Sequence, residues 1–410
     1  MTASVSHTGL VDSLMTASAV RERCSDLFEN GLTGTLPWFV IDMGRFEFAA
    51  HSVFSEIQSA YPDLNVPFHS RWRHFEFDGV DLWAELADTA GLGGNPRLVA
   101  EGDLAIVSVL LDAGAGPDWT YTDEATGLRL GRSEGLALAS LRLFSTGLLS
   151  ADPSDPLRAD STSLQLLSAE DLGSAMQVGP DNPLVGLDQR TALLRRLGEI
   201  TEARPDLFRR DGIYRPGNLL NSLAKQGGIT APGILAAVLD GFNRIWPSRL
   251  KLDGVPLGDV WRHSCLHRDD NTDGLVPFHK LSQWLSYSLI EPLQRDGTPV
   301  TDLDGLTGLA EYRNGGLFID TGVLSPKDAA IFETAHKPGD EIIVEWRALT
   351  VALLDRTAEA VRSKLGLTVD KLPLASVLQG GTWTAGRRAA AEKRADGGPP
   401  LKIDSDGTVF

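Results

Sequence analysis

The sequence predicts a mainly α-helical protein with a small β element in its N-terminal third. Apolar residues recur at spacings of three and four through most of the chain, whereas strand-like runs are few and short. The composition, 42% apolar and 23% charged, is that of a folded globular chain. With 410 residues, the chain is long enough for one large domain or two lobes.

Five segments carry the helical spacing and are bounded by turn or proline signals. Short strands are predicted at residues 38–41, 45–48 and 74–77, the last followed by the turn signal Asp78-Gly79. Residues 341–344 fit either a strand or the beginning of a helix. The helices are expected at about 134–148, at about 188–203, from Pro232 to Trp246-Pro247, from Pro277 to Pro292, and from Trp346 to Leu365.

One segment, residues 151–190, is rich in Ser, Asp, Pro and Gly. Such a composition is typical of a domain boundary or a long surface connection. It predicts an N-terminal lobe over residues 1–150, which contains the β element, and a helical lobe over residues 191–410.

The net charge excludes several classes of partner. The 38 basic and 55 acidic residues give −17, which repels nucleic-acid phosphates and anionic membranes. Two cysteines fit a reducing compartment, and neither a membrane-spanning apolar run nor a secretory signal is seen. We therefore expect a cytoplasmic protein that binds neither nucleic acid nor membrane; its oligomeric state stays open.

One glycine-rich motif and one histidine-containing motif are interpreted as structural. The glycines at 91–94 do not follow a buried strand, so a helix end is expected rather than a phosphate-binding loop. His263, Cys265 and His267 alternate without the usual spacing of zinc ligands, so a loop with structural histidines is expected. The sequence predicts no metal and no cofactor.

Residues 273–347 concentrate charged side chains within apolar sequence. Pro277 places His279 and Lys280 in the first turn of a helix, where free N–H groups favour an anion. A lysine there is repelled by the partial positive charge of the helix N-terminus. Either a phosphate or carboxylate therefore lies between Lys280 and the helix N-terminus, or Lys280 is exposed.

Further along, Glu311, Tyr312 and Arg313 precede a glycine pair that permits close backbone approach. Glu345 and Arg347 lie in the apolar part of the last predicted helix. Because buried charges must be paired or serve a site, they form either a structural pair or part of a substrate site.

The chain contains five long motifs, VPFHKLSQWLSYSLIEPL, DGLTGLAEYRNGGLFIDTGVL, EIIVEWRALTVALLDR, LPLASVLQGGTWTAGR and SDGTVF. These motifs resemble the uracil-catabolism protein family of fungi and bacteria. That family belongs to a pathway that degrades uracil with ribosylurea as an intermediate. The resemblance covers essentially the whole chain, which favours one functional unit.

A more distant similarity is to the queuosine 5′-phosphate N-glycosidase (queuosine salvage) family, which has a helical, DNA-glycosylase-like fold. That family carries aromatic-Tyr-Lys, Asp-Tyr-Arg and Glu-x-Arg motifs in this order. Residues 278–280, 311–313 and 345–347 are similar to them, and Trp383 falls near a late Trp of that family. Glu311 stands where that family has Asp, so the substrate or its approach should differ.

The resemblance implies an N-glycoside hydrolase in which a carboxylate stabilises an oxocarbenium-like transition state. Glu311 is expected in that role, with Glu345 in reserve or orienting Arg347. Basic side chains suit a sugar phosphate, and aromatic ones suit the leaving group. The expected substrate-binding residues are Lys280, His279, Tyr312, Arg313, Arg347, Phe68, Arg71, Trp72 and Trp383, with His69 as an alternative polar contact.

The expected substrate is a small molecule, ribosylurea or its 5′-phosphate, which would be cleaved to urea and ribose or ribose phosphate. Two alternatives remain. The protein could be another hydrolase of the pathway that acts on a ring-opened uracil nucleotide, or a non-catalytic partner of a pathway enzyme.

Overall fold

The computed structural model describes residues 7–246 and 249–404, so the predicted motif at 405–410 lies outside the described residues. Helices dominate, as predicted. They are α1 His7–Leu14, α2 Ala17–Leu32, α3 Phe46–Ala60, α4 Leu82–Thr89, α5 Gly94–Leu110, α6 Arg132–Ser145, α7 Ser161–Leu166, α8 Ala169–Ala175, α9 Leu187–Ala203, α10 Pro205–Phe208, α11 Asn218–Ala224, α12 Ala231–Phe242, α13 Lys280–Arg295, α14 Tyr312–Asp320, α15 Glu341–Leu365, α16 Leu374–Val377 and α17 Trp383–Lys393.

The strands of the described residues form two-stranded sheets only. These are spread along the chain rather than confined to its N-terminal third. The strands are β1 Phe39–Ile41, β2 Glu76–Phe77, β3 Val80–Asp81, β4 Thr120–Thr122, β5 Arg129–Gly131, β6 Arg209–Arg210, β7 Ile213–Tyr214, β8 Ile229–Thr230, β9 Lys251–Leu252, β10 Val255–Pro256, β11 Val260–Arg262, β12 Leu275–Pro277, β13 Val300–Thr301, β14 Leu324–Pro326, β15 Ala335–His336 and β16 Lys402–Ile403.

Most strand pairs are local hairpins, but three join distant parts of the chain. β1 pairs antiparallel with β14, with Phe39 opposite Pro326, while β8 pairs with β13 and β15 with β16 in parallel.

Among the helices at residues 7–246 and 249–404, none combines the length and apolar character needed to cross a bilayer.

The chain divides into two compact units that are interleaved in sequence. Of the described residues, the first unit takes 7–69, 249–283 and 302–404, and the second takes 70–246 and 284–301. The segment 151–190 lies wholly in the second unit, where it carries α7, α8 and the first residues of α9.

The first unit is organised around α15. This helix buries most of its residues from Ile342 to Val361 and packs against α2, α3 and α14. In the second unit, α5 is buried on every side from Leu98 to Leu110 and packs against α6 and α11. A Cβ at Gly102 would lie 2.7 Å from the Gly217 Cα, so these two glycines permit the close approach of α5 and α11.

The predicted helices are confirmed with adjusted ends. α6 and α9 match the predicted segments, and Pro232 lies in the first turn of α12, which ends at Phe242. The last long helix begins at Glu341, so residues 341–344 are its first turn and not a strand.

Pro292 lies inside α13, so the prediction that it ends this helix is wrong. A proline normally breaks a helix because it leaves the carbonyl four residues earlier without its N–H donor. Here that carbonyl, of Ser288, accepts a hydrogen bond of 2.7 Å from the Trp72 indole N–H. The side chain therefore replaces the missing backbone donor, and the helix continues to Arg295.

The predicted strand at 45–48 is also wrong, because this segment begins α3. Its alternation of Phe46 and Phe48 is too short to outweigh the helical spacing of the buried residues Ala49, Val53 and Ile57 that follow. Residues 76–77 do form a strand, and the predicted turn at Asp78-Gly79 joins it to β3, with positive φ angles of 50° and 80°.

Candidate functional site

Glu311 caps the N-terminus of α14 in the first unit. Its side chain accepts hydrogen bonds from the backbone N–H groups of Arg313 (2.8 Å) and Asn314 (2.7 Å). These are groups that a helix cannot satisfy internally. The Asn314 side chain fixes the same turn, because it donates to the Leu309 carbonyl and accepts from the Thr382 hydroxyl.

The carboxyl group of Glu311 has a raised pKa. Burial is the main cause, because it disfavours the charged form. The two capping N–H groups and the positive charges of Arg313 and Lys280 oppose this shift without cancelling it. Glu311 is therefore a half-buried carboxyl group whose pKa responds to the charges of Arg313 and Lys280, an environment typical of a catalytic acid or base.

Trp383, at the start of α17, is contacted by two guanidinium groups. The Arg313 Cζ lies 4.1 Å and the Arg387 Cζ 4.9 Å from the Trp383 ring centroid, which are cation–π distances. The His69 ring centroid is 6.4 Å away, and its Nδ1 is 2.8 Å from Gln379 Oε1. We call His69, Arg313, Trp383 and Arg387 the Trp383 cluster.

The π-helical turn Leu378–Thr382 directly precedes Trp383. Such turns occur mostly as single insertions in helices and are frequent at functional sites. Gly380 and Gly381 let this turn approach α3, because a Cβ at Gly381 would lie 2.5 Å from a Val53 methyl.

The predicted close approach at the glycine pair is confirmed. A Cβ at Gly315 would lie 2.7 Å from the Trp346 ring, whose indole N–H donates to the Gly315 carbonyl at 3.1 Å. On the side of α17, a Cβ at Gly386 would lie 2.9 Å from the Arg313 carbonyl carbon and nearer still to its oxygen. Gly386 therefore sets the distance between α14 and α17.

We expect Gly386→Ala to lower the free energy of unfolding by about 1–3 kcal/mol, the usual cost of overpacking a close contact. The obstacle is the backbone of Arg313, which cannot move aside as a side chain would. Gly173→Ala in α8 is the control, because its Cβ would meet only side chains, the end of Leu187 at 3.2 Å and the Val178 Cβ at 3.9 Å. Guanidinium unfolding of both variants is the measurement; equal stability would contradict the prediction.

Asp259 forms a two-pronged ion pair with Arg347 of α15. Both Arg347 terminal nitrogens lie 2.8 Å from the Asp259 carboxylate oxygens, and the Arg347 Cζ lies 4.0 Å from the Phe278 ring centroid. The same carboxylate accepts from the Trp261 indole at 2.7 Å. Burial alone would raise the pKa of Asp259, but these donors outweigh it and hold that pKa well below its usual range.

Asp259 also occupies the N-terminus of α13. The Lys280 backbone N–H donates to Asp259 Oδ2 at 2.9 Å, and the Phe278 N–H donates to the Asp259 carbonyl at 2.9 Å. The predicted anion at this helix terminus is thus a carboxylate of the protein itself. Pro277 ends β12 and α13 begins at Lys280, so the prediction that His279 lies in the first turn of this helix is wrong. His279 has a φ of 48°, its Nε2 lies 2.9 Å from the Leu14 carbonyl, and burial lowers its imidazole pKa.

Glu345 is fully buried, and it does not pair with Arg347 as one of the two predictions had it. Residues two apart face different directions. Glu345 instead accepts from the backbone N–H groups of Trp38 (3.2 Å) and Phe39 (2.7 Å), and its Oε2 lies 3.0 Å from His263 Nε2. These contacts link α15 to β1 and to the His263 loop, which favours a structural role over the predicted catalytic one.

Two predicted binding residues, Arg71 and Trp72, lie inside the second unit. Arg71 is fully buried; it donates to the Ser108 hydroxyl at 2.7 Å and forms an ion pair with Asp112 at 3.2 Å. Trp72 is 2% exposed, and its indole N–H donates a hydrogen bond to the Ser288 carbonyl. Both have interior structural partners, whereas Phe68 and Tyr312 are half-buried in the first unit.

Sequence reasoning missed Asp259 and Gln379. In the sequence GDVWRH, two apolar residues follow Asp259, and nothing in this segment indicates an ion pair with a residue 88 positions away. His263 is held by hydrogen bonds on both ring nitrogens: the Cys265 N–H donates to its Nδ1, so its Nε2 carries the proton given to Glu345. No group of three potential metal ligands is found among residues 7–246 and 249–404.

Comparison with known proteins places the whole chain in one family. A family model described as "Protein of unknown function (DUF1688)" matches residues 13–410. The chain is 36% identical over 415 residues to Protein urg3 of Schizosaccharomyces pombe, covering 98% of this chain and 100% of that one. It is 36% identical over 431 residues to Uracil catabolism protein 4 of Lachancea kluyveri, covering 96% and 97%. The predicted resemblance to the uracil-catabolism protein family is thereby confirmed, and the chain belongs to the DUF1688 family.

Proposed function

We propose that this protein acts in uracil catabolism, the process for which its Lachancea kluyveri relative is named. Within it, the protein hydrolyses a ribosyl N-glycosidic bond, in ribosylurea or its 5′-phosphate, and releases urea. The observation that carries this reaction is the half-buried Glu311 carboxyl group with its raised pKa and its cationic neighbours Lys280 and Arg313.

Hydrolysis of this bond builds positive charge on the sugar before water adds. The C1′–N bond breaks and its electron pair goes to nitrogen, while water adds its oxygen to C1′. An ionised Glu311 stabilises the developing charge and accepts the proton of the water. Urea is a poor leaving group, so its nitrogen or carbonyl oxygen must gain a proton as the bond breaks.

The neighbouring cations fit an anionic sugar. Lys280 supplies an ammonium group for a 5′-phosphate, and Arg313 supplies a planar guanidinium that is already stacked on Trp383. Arg347 is a weaker candidate as a direct phosphate ligand, because Asp259 already takes both of its terminal nitrogens. We therefore assign recognition of the phosphate to Lys280 and Arg313.

The direct test is to incubate the purified protein with ribosylurea and, separately, with its 5′-phosphate, and to measure free urea. We expect urea from the wild type and at least about 100-fold less from Glu311→Gln, the loss typical when one electrostatic stabiliser is removed. Glu359→Gln is the matched control, because this exposed glutamate of α15 lies outside the site.

Each negative outcome points to a different function. No urea above the Glu311→Gln level from either compound would refute the hydrolase. A ring-opened N-ribosyl product formed from uridine phosphate would instead support another pyrimidine hydrolase. Pathway flux that survives substitution of Glu311 and Lys280 in cells would support a non-catalytic partner.

A further inference from the structure

The first turn of α13 is held by a carboxylate from a distant loop. Asp259 lies just before β11 and accepts the Lys280 N–H, while its own carbonyl accepts the Phe278 N–H. His279, the residue between Phe278 and Lys280, has a φ of 48°, a backbone conformation that residues other than glycine rarely adopt. The turn keeps this conformation only if the surrounding contacts enforce it.

Arg347 supplies the other half of this arrangement. It is 1% exposed, so its guanidinium needs a partner inside the protein, and it binds both oxygens of Asp259 while covering the Phe278 ring. Asp259 is thus fixed from one side by α15 and fixes the beginning of α13 from the other. Few geometries satisfy so many directed hydrogen bonds together.

From this geometry we infer that Asp259 is a positioning residue, which, through its pair with Arg347, holds Lys280 of α13 beside Glu311 of α14. The inference rests on the proposed function for its effect on catalysis, but its effect on Glu311 is a property of the protein alone. Arg347 thereby acts at the site through Asp259 rather than as a direct ligand of the phosphate.

The pKa of Glu311 reports the position of Lys280. Two cationic side chains influence Glu311: Arg313 from its own helix and Lys280 from α13, both of which lower its pKa. If the first turn of α13 loosens, the Lys280 charge moves away and the pKa of Glu311 rises. Removing Asp259 and Arg347 together takes away one negative and one positive charge, so their direct effects on Glu311 oppose each other.

The experiment is a carboxyl-carbon NMR titration of protein labelled at glutamate, with Glu311 assigned by its absence in Glu311→Gln. We expect Lys280→Met to raise the pKa of Glu311, and the double variant Asp259→Ala/Arg347→Met to reproduce at least half of that rise. The double variant avoids an unpaired buried guanidinium and so protects the fold. In the urea assay, the acid limb of its kcat/KM profile should move to higher pH by the same amount.

The matched control is Asp123→Ala/Arg142→Met, which removes a comparable two-pronged pair from the second unit. It should leave the pKa of Glu311 unchanged. The inference is overturned if the folded Asp259/Arg347 double variant keeps the wild-type pKa of Glu311, or if Lys280→Met does not raise it. If the pKa of Glu311 rises in the double variant but the wild-type protein releases no urea, the result would support the positioning role and refute the proposed reaction.

Discussion

Glu345→Ala is expected to lower the free energy of unfolding by about 3–5 kcal/mol, the typical cost of removing one partner from a buried charged network. Two backbone N–H groups, of Trp38 and Phe39, and the Nε2–H of His263 donate to this fully buried carboxylate. Once the carboxylate is gone, all three donors lose this acceptor, and those of Phe39 and His263 lie in the protein interior. Guanidinium unfolding followed by circular dichroism is the measurement.

Glu359→Ala is the control for this prediction. Glu359 lies on the same helix as Glu345 but is exposed, so its removal should change stability by no more than about 0.5 kcal/mol. A double-mutant cycle with His263→Ala should show that the Glu345 and His263 losses are not additive, because the two side chains share one hydrogen bond. Equal stability of the two glutamate variants would contradict the structural role of Glu345.

The fold was predictable where one periodic signal dominated. The helices around Leu193 and around Leu349 present a continuous apolar face, so their existence follows from spacing alone. Their ends were less predictable, since they depend on tertiary contacts. Pro292 is the clearest case, because only the Trp72 indole, 220 positions earlier in the chain, allows the helix to continue past it.

The candidate site was predictable in its residue types but not in its pairings. Arg313 stacks on Trp383, and Glu311 caps the helix in which Arg313 lies. The partner of Arg347, however, is Asp259, and a single sequence contains no signal for a contact between a helix residue and a loop residue 88 positions apart. Charged residues in apolar windows therefore identify the interior charges, whereas only the structure shows which residue pairs with Arg347.

Urea release should fall about tenfold for each pH unit below the pKa of Glu311, because only the ionised carboxylate stabilises the transition state. Since burial raises that pKa, the midpoint should lie above the ordinary glutamate value of about 4.3. Lys280→Met should move the midpoint further up, because the Lys280 charge favours the ionised form. The measurement is kcat/KM for urea release between pH 4 and pH 8, each condition being checked for folding.

The same pKa shift determines what Glu311 does to stability. A carboxyl group whose pKa is raised by folding stabilises the folded state below its unfolded pKa, and this contribution is lost as pH rises through the folded value. At neutral pH, Glu311→Gln therefore removes an unfavourable buried charge while it weakens the helix cap, and its net effect on stability should be within about 1 kcal/mol. Glu345→Ala should unfold the protein easily, whereas Glu311→Gln should abolish urea release from a protein that stays folded. A Glu311→Gln variant as unstable as Glu345→Ala would instead assign Glu311 to the scaffold.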